Sequence, residues 1–142
     1  MQQFVSNSPI ETEKIAAELA DSISEATVIA MTGDLGAGKT AFVRGFARAM
    51  GYTGEVSSPT FALVHEYIGG RLPIYHFDMY RVESWDSLYS TGFFDYMDMK
   101  AVLAVEWSEN IENALPDKLV TVDIKREESD NSRIITVSAR GE

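Results

Sequence analysis

Eight consecutive residues, Gly33-Asp34-Leu35-Gly36-Ala37-Gly38-Lys39-Thr40, constrain this chain more than any other feature of it. They fit the pattern G-x-x-x-x-G-K-[ST] in full, and they stand between two contrasting neighbours. Thr27–Met31 (TVIAM) is apolar and partly β-branched, as a buried strand is. Phe42, Val43, Phe46 and Met50 recur on one face of a helix that Gly51 closes. A strand, a glycine-rich turn and an amphipathic helix in that order build an anion cradle. The glycines permit the tight turn and keep side chains out of it. Successive N–H groups point inward, and the helix brings its positive end, roughly half a charge, to the same place. Lys39 adds a full charge near the β- and γ-phosphates, and the Thr40 hydroxyl is placed to ligate Mg²⁺. The plain alternative is a glycine-rich turn with no ligand. The motif in its context points instead to a nucleoside triphosphate with Mg²⁺.

The rest of the chain surrounds this unit with short elements. Gln3–Val5 reads as a short strand. Ser8, Pro9 and Glu11 read as a helix start with a capping box, followed by Ile15, Leu19 and Ile23 at helical spacing and flanked by Ala16 and Ala20. Tyr52–Pro59 is a polar loop. Phe61–Tyr67 and Leu72–Phe77 are strands joined at Gly69-Gly70, a hairpin signal. Ser84–Tyr96 is irregular or helical, Ala101–Val105 (AVLAV) is a fully apolar strand, and Trp107–Leu115 is a short helix ending before Pro116. Leu119–Lys125 and Arg133–Ser138 alternate as strands around the acidic turn Glu127–Asn131. The expected class is α/β, a P-loop NTPase-like three-layer fold whose mixed, partly parallel sheet is flanked by helices. The hairpin and the C-terminal strands are expected as antiparallel additions. With 142 residues, no repeat and no linker, residues 1–142 are expected to form one domain.

A phosphate loop needs an acidic partner at the end of a neighbouring strand to hold the magnesium, directly or through water. Asp78 follows the strand Leu72–Phe77, and Glu106 follows Ala101–Val105. Ligand groups in parallel α/β sheets gather at such ends. For each acid the alternative is a solvated carboxylate that merely closes its strand. Thr60, in Ser57-Ser58-Pro59-Thr60-Phe61, is either a second hydroxyl for the magnesium, in a loop that answers to the γ-phosphate, or part of a turn entering a strand. Trp107 either stacks on the base or is buried against a helix. His65 and His76 are read as hydrogen-bonded strand residues rather than ligands.

Composition narrows the partners. A net charge of −10 with twelve basic residues makes an unaided grip on RNA or an anionic membrane implausible. Cysteine is absent, which rules out disulfides and thiolate metal sites and agrees with a cytoplasmic location. No apolar run is long enough to span a bilayer, and Met1–Ser8 has neither the basic start nor the apolar stretch of a signal peptide. The Asn-Lys-x-Asp pattern by which many GTPases read guanine is missing, which favours ATP.

Four segments occur in a particular order: GDLGAGKT (Gly33–Thr40), SSPTFALV (Ser57–Val64), HFDMYR (His76–Arg81) and VEWSE (Val105–Glu109). Together they closely resemble the TsaE family of bacterial P-loop ATPases, over nearly the whole chain. The resemblance implies an ATPase in tRNA threonylcarbamoyladenosine biosynthesis that works with TsaB and TsaD and meets tRNA only through them. It implies that Leu35, Gly36, Ala37, Gly38, Lys39 and Thr40 wrap the phosphates. Thr40 and Glu106 would hold Mg²⁺, with Asp78 in the same shell or polarising a water. Thr60 would sense the γ-phosphate, and Trp107 would lie near the base. Lys39, Asp78 and Glu106 are thus the implied catalytic set, and Arg126 is offered without a motif as an arginine near the nucleotide. Tyr89-Ser90-Thr91 departs from the family pattern, in which an acid often stands there, and so leaves the 89–96 segment without a role. Two rival readings share the loop: a small-molecule kinase, and a switch in which ATP binding without hydrolysis reshapes a partner surface.

Overall fold

The computed structural model describes residues 1–33, 38–57, 64–127 and 132–140. The elements run β1 (Gln2–Ser6), α1 (Pro9–Asp21), β2 (Thr27–Gly33), α2 (Lys39–Met50), β3 (Val64–Tyr67), β4 (Ile74–Asp78), α3 (Trp85–Ser90), α4 (Phe93–Met97), β5 (Val102–Glu106), a 3₁₀ helix (Ser108–Ala114), β6 (Leu119–Arg126) and β7 (Arg133–Arg140). Among the described residues seven strands form one sheet, in the order β1-β7-β6-β2-β5-β4-β3. Strands β4, β5, β2 and β6 are parallel neighbours, whereas β3, β7 and β1 join antiparallel. The expected mixed α/β sheet is present, with one correction. β6 belongs to the parallel core, with Met31 opposite Val122 and Gly33 opposite Ile124, rather than to an antiparallel addition.

Alternation along each strand divides the core into two layers. Ile29, Met31, Ile74, Val102, Ala104, Val122 and Ile124 pack beneath α1 and α2. Val28, Ala30, Tyr75, Phe77, Leu103 and Val105 pack against Leu88, Phe93 and Ile111 of the opposite layer. The stripe on α2 is buried as its spacing predicts, and Gly51 ends the helix at φ 105°.

α1 departs in detail from its expected pattern. Ser8 caps it by accepting from Glu11 N–H, but the Glu11 carboxylate reaches back to Asn7 N–H, one residue before the cap. Its fully buried residues are Thr12, Ala16 and Ala20, with Ile15 and Leu19 only half-buried. The small residues face α2 because the two helices nearly touch: a Cβ on Gly45 would lie 2.3 Å from the Glu13 carbonyl oxygen. Gly45→Val is therefore expected to lower stability by about 2 kcal/mol or more, since forced overpacking against backbone outweighs any gain in helix propensity. Urea denaturation checks this, and an unchanged midpoint would refute the close approach.

Candidate functional site

The parallel strands end along one edge of the sheet, and the chemistry-bearing residues gather there. Gly33 ends β2 at φ 121°, and a Cβ on it would lie 2.0 Å from the Ile124 carbonyl oxygen. Only glycine lets β2 run that close to β6 and then turn away. Gly38 is the N-cap of α2, with φ 107°, and nothing among the described residues lies within 4 Å of where its Cβ would be. Among the described residues no side chain caps this helix, and no acid occupies its first turn. Its leading N–H groups and positive end are therefore left for another acceptor.

Lys39 opens α2 and is 7% exposed. Its Nζ lies 5.1 Å from the centroid of the Trp107 ring. Among the described residues no carboxylate stands within ion-pair distance of it. A buried ammonium without a carboxylate is costly, and an anionic ligand would relieve that cost. Thr40 follows, half-buried.

Asp78 and Glu106 are register partners at the ends of β4 and β5. They share the sheet face that carries Ile74, Val102 and Ala104, the face covered by α1 and α2. Asp78 Oδ1 accepts from Tyr80 N–H at 2.9 Å. Burial is the largest influence on its carboxyl and pushes it above the ordinary 3.8. Glu106 pushes the same way, while the Tyr80 N–H, His76 and Lys39 pull back. Glu106 is buried, and its Oε2 lies 2.5 Å from Nε2 of the fully buried His76.

These positions fit Mg²⁺ carried by a polyphosphate. Magnesium keeps several waters and takes one or two carboxylates plus phosphate oxygens, so it needs no all-protein cage. Among the described residues no group of three or more His, Cys, Asp or Glu stands ready to hold a metal. Thr40, Glu106 and Asp78 are the residues that would hold it.

The raised Asp78 carboxyl has a consequence for stability. The folded chain holds that proton more tightly than the unfolded chain, so ionised Asp78 opposes folding above the folded value. The penalty fades as pH falls toward the unfolded value. In Mg²⁺-free buffer Asp78→Asn is expected to unfold at higher denaturant than the parent at pH 7, with the two converging as pH drops to about 4. A lower midpoint for the variant at pH 7 would contradict this.

Trp107 is the one non-glycine residue at positive φ (58°) among the described residues. It is half-buried and initiates the 3₁₀ helix. Ser108 Oγ donates to Met31 O at 3.2 Å, Asn110 N–H donates to Trp107 O at 3.0 Å, and the Tyr80 ring meets the indole at 4.9 Å. Such strained backbone persists where its surroundings fix it, and here the result is an indole held beside Lys39.

Leu35, Gly36, Ala37 and Thr60 lie outside the described residues. Arg126 closes β6 opposite Arg133. His65 Nδ1 lies 3.5 Å from Ser57 Oγ. Both histidines are hydrogen-bonded strand residues, as expected, but the sequence reading missed that the partner of His76 is Glu106. The signal was available in Ile-Tyr-His-Phe-Asp, where alternation puts His76 and Asp78 on one face.

Over residues 6–135 the chain matches a family model described as "Threonylcarbamoyl adenosine biosynthesis protein TsaE". Among its relatives is a Bacillus subtilis (strain 168) protein called tRNA threonylcarbamoyladenosine biosynthesis protein TsaE. It is 43% identical over 133 residues, which cover 94% of this chain and 82% of the relative. A Treponema pallidum (strain Nichols) protein of the same name is 36% identical over 134 residues, covering 94% and 98%. The crystal structure of Bacillus subtilis YdiB superposes with a TM-score of 0.83 at 37% identity, over 99% of this chain and 86% of that one.

Proposed function

The chain belongs to the TsaE family, and we propose that its part in threonylcarbamoyl adenosine biosynthesis is that of a Mg²⁺-dependent P-loop ATPase. In this reading residues 1–142 form one cytoplasmic ATPase domain that acts with TsaB and TsaD and meets tRNA through them. No helix among the described residues is long and apolar enough to cross a membrane. The observation that carries the reading is the buried Lys39 ammonium at the start of α2, which has no side-chain cap among the described residues. The ammonium has no carboxylate partner among the described residues, yet is close enough to Asp78 to act on its carboxyl.

Lys39 and the α2 N–H groups bind the β- and γ-phosphates and neutralise charge that grows as the terminal bond breaks. Thr40 and Glu106 would hold Mg²⁺, which when bound would further neutralise the phosphate oxygens. Asp78 orients the attacking water. Its raised carboxyl makes it a better proton acceptor than an exposed aspartate, and Oδ1 is fixed by Tyr80 N–H. Trp107 lies where it can flank the base.

Two of the arginines are engaged away from the site. Arg71 donates to Ile23 O and Ala20 O, and Arg48 pairs with Glu13. On this reading the lone chain turns over slowly, and a partner completes the site. The test is ATP hydrolysis by the purified chain alone and with TsaB, TsaD and tRNA. Slow turnover that rises with the partners supports the reading. No rise, together with transfer of labelled γ-phosphate to a small acceptor, would replace it with a kinase.

A further inference from the structure

Glu106 stands at the head of a buried polar chain that crosses three strands. Its Oε2 meets Nε2 of His76 at 2.5 Å. Nδ1 of His76 lies 2.9 Å from the Tyr67 hydroxyl, which lies 3.1 Å from the Ser57 carbonyl oxygen. The links run from β5 to β4 to β3 and on to the loop after α2, within the layer beneath that helix.

Proton bookkeeping gives the chain a direction. A carbonyl oxygen only accepts, so the single phenolic proton of Tyr67 goes to Ser57. Tyr67 retains its own proton across the working range, because burial pushes its hydroxyl up to about 12.

Packing alone does not account for these groups. His76 is fully buried and Tyr67 nearly so. Apolar residues of similar volume in such places are often neutral or stabilising. The small Ala104 opposite His76 leaves room for the imidazole to lean along β5 toward Glu106. No buried side-chain nitrogen or oxygen among the described residues lacks a partner.

We propose that His76 and Tyr67 are positioning residues for Glu106. His76 takes Oε2 and fixes the carboxylate so that Oε1 is the oxygen presented to the ligand, and Tyr67, anchored on Ser57, fixes the imidazole. The proposal rests on the reading of Glu106 as a magnesium-holding residue. Groups that orient metal-ligating carboxylates in this way change metal affinity by roughly 10–100-fold when removed.

The test is calorimetric ADP binding to the full chain, first in EDTA and then across a Mg²⁺ series, which needs no turnover. Tyr67→Phe removes one hydroxyl and keeps the ring. It is expected to bind ADP in EDTA within about twofold of the parent, while the Mg²⁺ concentration that half-saturates the metal-dependent gain rises about tenfold. His76→Gln keeps an N–H donor for Glu106 and is expected to retain more of that gain than His76→Ala. A folded Tyr67→Phe with the parent's Mg²⁺ dependence would overturn the proposal. Equal loss in the Gln and Ala variants would overturn it too, and that pair decides the matter if Tyr67→Phe does not fold. A parent chain whose ADP binding ignores Mg²⁺ would remove the assigned role of Glu106 and the relay with it. A parent that binds no nucleotide would overturn the ATPase reading itself.

Discussion

Lys39→Ala is expected to abolish measurable ATP binding and to lower kcat/KM for hydrolysis at least about a hundredfold, the scale seen when one preorganised charge-stabilising donor is removed. The lysine is the first residue of α2 and almost wholly buried. Its ammonium rests near the Trp107 ring, with no carboxylate partner among the described residues. In the absence of nucleotide the group therefore carries a desolvation cost that a cation–π contact offsets only by about 1–2 kcal/mol. Removing it should leave stability unchanged or slightly improved, because alanine also favours the helix. Large functional loss with no loss of stability is the signature of a binding group rather than a packing group. Calorimetric ATP titration, a hydrolysis assay and urea denaturation on the same protein separate the two. An alanine variant with parental ATP affinity would detach the start of α2 from the triphosphate.

The parts legible in the sequence were those written in consecutive residues. The Gly33–Thr40 pattern, the stripe Phe42–Met50 and the caps at Ser8 and Gly51 each depend on neighbours within a few positions, and the elements they imply are present. What the sequence hid depends on distant pairing. Leu119–Lys125 alternates because β6 lies between β2 and the antiparallel β7, not because it is itself an antiparallel addition. Ile15 and Leu19 looked like the buried face of α1. The close approach of Gly45 to Glu13 gives that face to Ala16 and Ala20 instead. Glu106 and Asp78 could be nominated singly as acids at strand ends, but their pairing requires the β4–β5 register. The link from Ser57 through Tyr67 and His76 to Glu106 joins four separated positions, and no local spacing records it.

On the proposed reading Glu106 has two roles, charge toward the ligand and the contact with His76, and two substitutions separate them. Glu106→Gln keeps an oxygen for His76 Nε2 and loses the charge. It is expected to fold with near-parental stability, to need about tenfold more Mg²⁺ or beyond, and to hydrolyse ATP about a hundredfold more slowly in the presence of TsaB and TsaD. Glu106→Ala loses both roles. It should show the same functional loss and, in addition, cost about 1–3 kcal/mol of stability, because a fully buried imidazole is left without its partner. Nucleotide binding in EDTA should survive in both, since Lys39 and the α2 N–H groups supply it. Hydrolysis at the parental rate by Glu106→Gln with both partners present would show that the charge is dispensable, and the work of holding the metal would pass to Asp78 and Thr40. If Glu106→Gln lost as much stability as Glu106→Ala, the contact with His76 would depend on the carboxylate charge itself, and the two roles would be one.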